Sequence, residues 1–322
     1  MTAGDGDTDL DQVRQAAKDR PIGGMARSGW MQRVAPRTPE SLKQAGRSAF
    51  RVYGQATSRV RDLPDYLVIG AKKGGTTSVV NWLVEHPQVM PLFPRMQRHK
   101  SPHYFDINFD RGLSWYLSHF PSKPARRVHE RRFGAARTGE ASPYYLFHPA
   151  APERIHDQVP QARLVAILRE PVSRAYSNFW DRVATGNETL PTFEDALDAE
   201  EQRLARATDD WLRVPGHYDF DHDHHSYLAR GRYAEQLERY FAHFPREQLL
   251  VLPLDALHRD PEGSFRRVED HLGLDHHAVD LTARNARENK PPLLPETKDR
   301  LRDYYRTHNE RLQNLLGEDW GW

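Results

Sequence analysis

A glycine-rich loop at residues 70–77 carries the side chains best suited to bind a charged ligand. Its sequence, Gly-Ala-Lys-Lys-Gly-Gly-Thr-Thr, lies between an apolar run at 66–69 and a stretch at 78–84 with apolar residues at helical spacing. Backbone N–H groups converge in such a strand–loop–helix junction, and the positive end of the helix dipole adds to their attraction for phosphate. We therefore predict a phosphate-binding loop whose contacts come from Lys72, Lys73, Gly74, Gly75, Thr76, Thr77 and Ser78.

The loop departs from the ATP-binding pattern G-x-x-x-x-G-K-[ST] at one position. Gly70 and Gly75 have the spacing of the two glycines, but Thr76 stands where the pattern has its lysine. Because the loop's own lysines lie upstream, the usual arrangement in which the lysine reaches the terminal phosphates of ATP is not expected. A kinase-like phosphotransferase is therefore an alternative function, not the leading one.

Residues 73–77 (Lys-Gly-Gly-Thr-Thr) resemble the 5′-phosphosulfate loop of sulfotransferases that use 3′-phosphoadenosine 5′-phosphosulfate (PAPS). The fold of that family is related to the P-loop kinases. The family's lysine at this position contacts the oxygen that bridges phosphate and sulfate, so the resemblance assigns this catalytic role to Lys73. It also implies that PAPS is the sulfuryl donor and that adenosine 3′,5′-bisphosphate is the product.

A second segment agrees with the same resemblance. The family holds the 3′-phosphate of the donor with an arginine at the end of a strand and a serine eight residues later on the next helix. Here Arg169 follows the apolar run 164–168, and Ser177 lies eight residues further on. A guanidinium fork and a hydroxyl suit a dianionic phosphate. In relatives a late loop often adds a contact to the cofactor, which corresponds here to 285–292, with Arg287 and Lys290.

Three further segments, at 112–121, 139–145 and 320–322, resemble heparan-sulfate-type and bacterial carbohydrate sulfotransferases. The resemblance implies a sulfotransferase domain at 63–322, with a P-loop-kinase-like three-layer α/β fold. Its reaction would be an in-line transfer of the sulfuryl group, without a metal ion, to a hydroxyl acceptor. A small molecule, a glycan and a glycolipid all fit as acceptors, with sugars favoured by the resemblance alone.

The catalytic base does not carry over from the family. Relatives commonly have Lys-Glu-x-His-Phe-Phe-Asp, whereas residues 100–106 read Lys-Ser-Pro-His-Tyr-Phe-Asp, which puts Ser101 at the position of the glutamate. A hydroxyl is a poor base at neutral pH, so a replacement is needed. His103 and Glu140 are equal candidates, and Asp106 ranks below them. The missing glutamate also leaves a non-catalytic nucleotide-binding relative as an alternative.

The elements that must position these residues alternate along the chain. Apolar β-type runs at 66–69, 164–168 and 249–252 predict buried parallel strands. Helices are predicted at 78–84, at 172–183, after the capping box at 192–195, on the apolar stripe 233–244, from Asp260-Pro261 to just before Gly273, and at 301–316. Strands that alternate with helices predict a central parallel sheet flanked by helices on both faces.

Composition excludes several classes of protein. The chain has 322 residues, 46 basic and 45 acidic side chains, 38% hydrophobic residues and no cysteine. Such a chain can fill a core, and its near-zero net charge argues against binding nucleic acid through bulk charge. No disulfide or thiolate metal site is possible. No apolar stretch approaches a membrane span or a signal peptide, so a cytoplasmic location is expected.

Two further segments lie outside this pattern of motifs. Residues 1–62 are predicted to be a basic, partly flexible arm, since 20–61 hold nine basic residues and one acid. Such an arm would make at most weak contact with anionic surfaces, lipid headgroups included. Residues 217–225, His-Tyr-Asp-Phe-Asp-His-Asp-His-His, have metal-ligand residue types, but their irregular spacing favours a solvated loop without a metal.

Overall fold

A five-stranded parallel sheet forms the centre of the molecule. The computed structural model describes residues 49–94, 100–281 and 290–322. Within these ranges the strand order is β2-β3-β1-β4-β5, and every neighbouring pair is parallel. The strands are β1 Tyr66–Gly70, β2 Val89–Met90, β3 Arg137–Ala141, β4 Arg163–Leu168 and β5 Leu249–Pro253.

Helices cover both faces of this sheet. Alternate side chains of β1 point to opposite sides, so Leu67 and Ile69 join one apolar cluster and Val68 joins the other. The helices are α1 Thr76–Glu85, α2 Gly112–Leu117, α3 Lys123–Phe133, α4 Ala151–Gln158, α5 Pro171–Ala184, α6 Phe193–Asp198, α7 Glu200–Leu204, α8 Asp209–Arg213, α9 Phe220–His224, α10 Tyr233–Phe241, α11 Leu254–Arg259, α12 Pro261–Leu272 and α13 Pro295–Leu316. The predicted three-layer α/β fold is confirmed.

Local sequence signals explain where the predicted helices begin and end. Thr192 caps α6, since its side chain accepts a hydrogen bond from the backbone N–H of Asp195. Asp260 caps α12 in the same way, Pro261 is its first residue, and Gly273 ends it with a left-handed backbone. The three predicted strands are β1, β4 and β5, whereas β2 and β3 were not predicted.

The part of the predicted arm that the structure describes is ordered against the domain. A helix at 49–56 and a turn of 3-10 helix at Ser58–Val60 precede β1. Arg51 donates a hydrogen bond to the Ser118 hydroxyl at 2.9 Å, and Arg61 donates one to the backbone carbonyl of Phe120. Residues 1–48 lie outside the described residues, so the predicted arm stays a prediction there. None of the helices described is long and apolar enough to span a membrane.

Candidate active site

The glycine-rich loop connects the end of β1 to the start of α1. Lys73 and Gly75 both have positive φ angles, 67° and 98°, and left-handed residues of this kind occur in loops whose backbone N–H groups form an anion-binding concavity. No side chain caps α1, whose first three residues are Thr76, Thr77 and Ser78. A Cβ atom on Gly74 would lie 2.2 Å from the carbonyl oxygen of Ile167, so only glycine fits against β4. The loop therefore has the geometry of an anion-binding site.

The two lysines of this loop have different partners. Lys72 is buried, and its Nζ donates to Asp223 Oδ1 at 3.0 Å and to the Asp223 carbonyl at 2.6 Å. Lys73 is partly exposed, and its Nζ lies 3.0 Å from Asp181 Oδ1. The ammonium group of Lys72 is thus held inside the protein, which leaves its backbone N–H as the group able to serve the predicted binding role.

A third lysine reaches the loop from outside it. Lys100 Nζ donates to Thr76 Oγ1 at 3.0 Å. It brings a positive charge to the residue that stands where the ATP-binding pattern has its lysine. Lys100 is the first residue of the segment 100–106, and no role was predicted for it from the sequence.

The residues predicted for the 3′-phosphate lie at the end of the neighbouring strand. Arg169 follows β4 and is half-buried, which lowers the pKa of its guanidinium, and the structure gives it no side-chain hydrogen bond to another described residue. Ser177 lies on α5 and is buried, and Lys290 Nζ donates to its Oγ at 3.0 Å. Lys290 is thus brought to the predicted site, while Arg287 lies outside the described residues.

His103 is the best-supported base candidate by geometry. Its Nδ1 lies 3.0 Å from Asp106 Oδ2 and 3.1 Å from Ser142 Oγ, and the Ser142 hydroxyl donates to the same carboxylate oxygen at 2.6 Å. The side chain of His103 is 21% exposed and that of Asp106 is fully buried. Burial opposes charge on the imidazole, but Asp106 outweighs it and raises the pKa of His103 above its usual value. The proton on Nδ1 then faces Asp106, and Nε2 is left as the acceptor.

Glu140 lies deeper, on β3. Tyr145 donates to its Oε1 at 2.6 Å, Tyr116 donates to the same atom at 3.4 Å, and Oε2 has no hydrogen-bond partner among the described residues. Burial raises the pKa of Glu140 to about 7, although the nearby Ser101 hydroxyl and the hydrogen bond from Tyr145 oppose the shift. Glu140 as a whole is only 3% exposed, so its carboxyl group is poorly placed to contact an acceptor directly.

The histidine-rich segment is not a solvated loop, so this expectation was wrong. Its central residues form α9, and His222, Asp223, His224 and His225 are all buried. Asp223 explains the burial, because its Oδ1 also accepts from Arg230 Nη2 at 2.9 Å. No group of three or more metal-ligand side chains could hold a metal ion within 49–94, 100–281 and 290–322.

This buried ion cluster gives a stability prediction. Replacing Asp223 with asparagine should lower the free energy of unfolding by about 3 kcal/mol, because it leaves Lys72 and Arg230 buried without a carboxylate. Asp62→Asn is the matched control, since Asp62 forms an exposed pair with Lys123 at 3.6 Å and should change stability by less than about 1 kcal/mol. Urea denaturation measures both, and equal effects would contradict the structural role of Asp223.

Comparison with known proteins identifies the family. The profile of the sulfotransferase domain matches residues 63–320. Heparan sulfate glucosamine 3-O-sulfotransferase 3B1 of Mus musculus is 28% identical, over 95% of this chain and 74% of the relative. For 3-O-sulfotransferase 3A1 of Mus musculus the identity is 29%, over 81% of this chain, which spans 65% of that relative's length.

A solved structure agrees with these matches. The sulfotransferase from Alicyclobacillus acidocaldarius superposes with a TM-score of 0.60 at 27% identity, over 80% of this chain and 97% of that one. The sequence profile, the relatives and the fold all lead to one family. The chain belongs to the sulfotransferase domain family, and the protein is a sulfotransferase enzyme.

Proposed function

We propose that this sulfotransferase transfers the sulfuryl group of PAPS to a hydroxyl group of a glycan. One observation carries the choice of donor: two cation-bearing sites lie at the carboxyl ends of the neighbouring parallel strands β1 and β4. In the first, Lys100 donates to Thr76 of the loop that also contains Lys73. In the second, Lys290 donates to Ser177 on the helix that follows Arg169. Ligands of open α/β sheets bind outside the carboxyl ends of the strands. Two separated cationic sites there fit a nucleotide with phosphate at both its 5′ and 3′ positions.

The residues present fit such a donor chemically. Backbone N–H groups of the glycine-rich loop, with the hydroxyls of Thr76, Thr77 and Ser78, would hold the 5′-phosphate. Arg169 and Ser177 would hold the 3′-phosphate as a fork and a hydroxyl. When bound, PAPS supplies the sulfuryl group and a phosphate leaving group. Lys73 would then provide the positive charge that stabilises the leaving phosphate, as cations do in phosphoryl transfer.

His103 is the base in this proposal. Asp106 and Ser142 hold its Nδ1, so its Nε2 can accept the proton of the acceptor hydroxyl. Asp106 is fully buried and cannot meet an acceptor, so its role is to orient the imidazole. Glu140 is buried, so in this proposal its charge acts on His103 and it does not contact the acceptor.

The relatives support a sugar acceptor. The names of the matched mouse enzymes specify the 3-O position of glucosamine in heparan sulfate. We propose that this chain likewise acts on a carbohydrate hydroxyl, by in-line transfer without a metal ion. A hydroxylated small molecule or a glycolipid remains the alternative acceptor, and the cytoplasmic location stays a prediction from the sequence.

Titration calorimetry tests the donor proposal. Adenosine 3′,5′-bisphosphate should bind more tightly than ATP with magnesium, and Arg169→Ala should weaken its binding about 30-fold through the loss of charge-assisted hydrogen bonds. Arg163→Ala is the matched control, since this exposed arginine lies at the opposite end of β4 and should leave the affinity unchanged. Tighter binding of ATP, or equal effects of the two variants, would contradict the proposed donor.

Transfer itself is tested with PAPS that carries radioactive sulfur. Incorporation of label into a glycan, with none into matched deoxy sugars, is the expected result. If the protein binds the bisphosphate but transfers label to none of a panel of glycans, glycolipids and small alcohols, the proposed activity is wrong. That result would favour the alternative of a non-catalytic nucleotide-binding protein.

A further inference from the structure

Asp181 is a charged group next to the candidate site whose role nothing above explains. It lies on α5, and its Oδ1 is 3.0 Å from the ammonium group of Lys73. The side chains of the pair are 28% and 18% exposed, so they lie at the surface of the site rather than in the core. We propose that Asp181 is the exchange partner of Lys73: it holds the lysine in the nucleotide-free enzyme and releases it when the donor binds. This inference rests on the proposed function.

Each lysine of the loop forms an ion pair, but only Lys73 can exchange its carboxylate partner for a ligand. The pair of Lys72 with Asp223 has side chains exposed by 9% and 11%, and Asp223 also binds the buried Arg230. Breaking that pair would strand buried charges, which is strongly unfavourable. The Lys73–Asp181 pair is more accessible, and its lysine adjoins the site where an anionic ligand would offer a second partner.

Asp181 keeps a partner when Lys73 leaves. Arg182 forms an ion pair with the same carboxylate, and its Nη1 is fixed 2.5 Å from His224 Nδ1. Burial raises the pKa of Asp181, but Lys73 and Arg182 outweigh it and hold that pKa below the ordinary value. The carboxylate is therefore charged at neutral pH, and losing Lys73 does not leave it unpaired.

Helix α5 joins this exchange to the second anion site. Ser177 and Asp181 are four residues apart on α5, which places them on the same face. The helix that would bind the 3′-phosphate thus also carries the resting partner of the lysine at the 5′ end. Asp181 competes with the donor for Lys73, so its carboxylate lowers the affinity for the nucleotide.

A double-mutant cycle tests this competition by calorimetry with adenosine 3′,5′-bisphosphate. In the wild-type background, Asp181→Asn should tighten binding about fivefold, because no ion pair has to be broken. In the Lys73→Met background the same substitution should change affinity by less than about twofold. Asp181→Glu keeps the charge and should stay within about twofold of the wild type.

The controls separate this inference from the proposed function. Asp198→Asn removes an exposed acid that pairs with Arg300 at 3.3 Å and, among the described residues, forms no ion pair with the candidate site, and it should leave affinity unchanged. If the wild type does not bind the bisphosphate, the proposed donor fails. If it binds but Asp181→Asn tightens binding equally in both backgrounds, or if Asp181→Glu tightens it as much as Asp181→Asn, Asp181 does not act through Lys73 and the inference is wrong.

Discussion

Replacing Lys73 with methionine is expected to lower the rate of sulfuryl transfer by about 10³-fold, the usual scale for losing a charge that stabilises a leaving group. Lys73 projects from the loop at a positive φ of 67°, and its ammonium group pairs with Asp181. The interaction of the Lys73 ammonium group with negative charge would be strongest only as the leaving phosphate forms. The loss should therefore appear mainly in kcat, which steady-state assays with labelled PAPS measure, and in the rate of the transfer step in single-turnover assays.

Affinity separates this role from simple binding. The N–H groups of the loop, Arg169 and Ser177 remain in Lys73→Met, so the affinity for PAPS itself, in which the leaving phosphate has not yet formed, should change by less than about tenfold. Lys298→Met is the control, because this exposed lysine lies on α13 and its loss should leave kcat unaltered. A variant with normal kcat and a higher KM would show that Lys73 only binds the donor, and the catalytic assignment would be wrong.

The sequence predicted those elements whose burial follows from the chain's own apolar pattern. Strand β1 is buried at all five positions and β4 at its last five, so both appear as uninterrupted apolar runs. The glycine-rich loop is predictable because its backbone conformation and packing require glycine. Gly75 has a left-handed backbone, and Gly74 packs against the carbonyl of Ile167. Arg169 and Ser177 lie where they do because a strand end and the next helix fix them.

Strand β3 was not predictable by the same reasoning. Its sequence, Arg-Thr-Gly-Glu-Ala, has no apolar run, and its buried Glu140 is held through Oε1, which accepts hydrogen bonds from the hydroxyl groups of Tyr145 and Tyr116. A Cβ atom on Gly139 would lie 2.4 Å from the carbonyl oxygen of Tyr66, which makes this glycine a packing residue of the sheet. Such a strand is defined by its tertiary partners, which a local pattern does not contain.

The charged contacts of the site depend on partners still further away. Asp223 and Lys72 are 151 residues apart, so nothing near the histidine-rich segment indicated that it would be buried. The contacts of Lys100 with Thr76 and of Lys73 with Asp181 are long-range in the same sense. Polar side chains are exposed on average, so a local sequence pattern predicts that they will be exposed. The burial of an ion cluster can be predicted only when all the members that pair within it are known.

Replacing His103 with asparagine is expected to lower kcat by about 10³-fold, within the range of lost general-base catalysis. The same variant should lose the acidic limb of the pH–rate profile. An imidazole accepts a proton only when neutral, and Asp106 raises the pKa of His103 above the usual value of about 6.5. The wild-type kcat should therefore rise with pH through neutrality and level off above that pKa. Steady-state assays across this range measure both effects.

Glu140 is the rival base, and its pKa of about 7 would give a limb in the same range. The two are distinguished by Glu140→Gln. The charge of Glu140 is one of the factors that raise the pKa of His103, so removing it should shift the limb to lower pH while kcat on the plateau falls by less than about tenfold. If Glu140→Gln instead abolishes the limb and His103→Asn retains it, the base is Glu140. The wild-type profile alone would not decide, because either group must lose its proton to act.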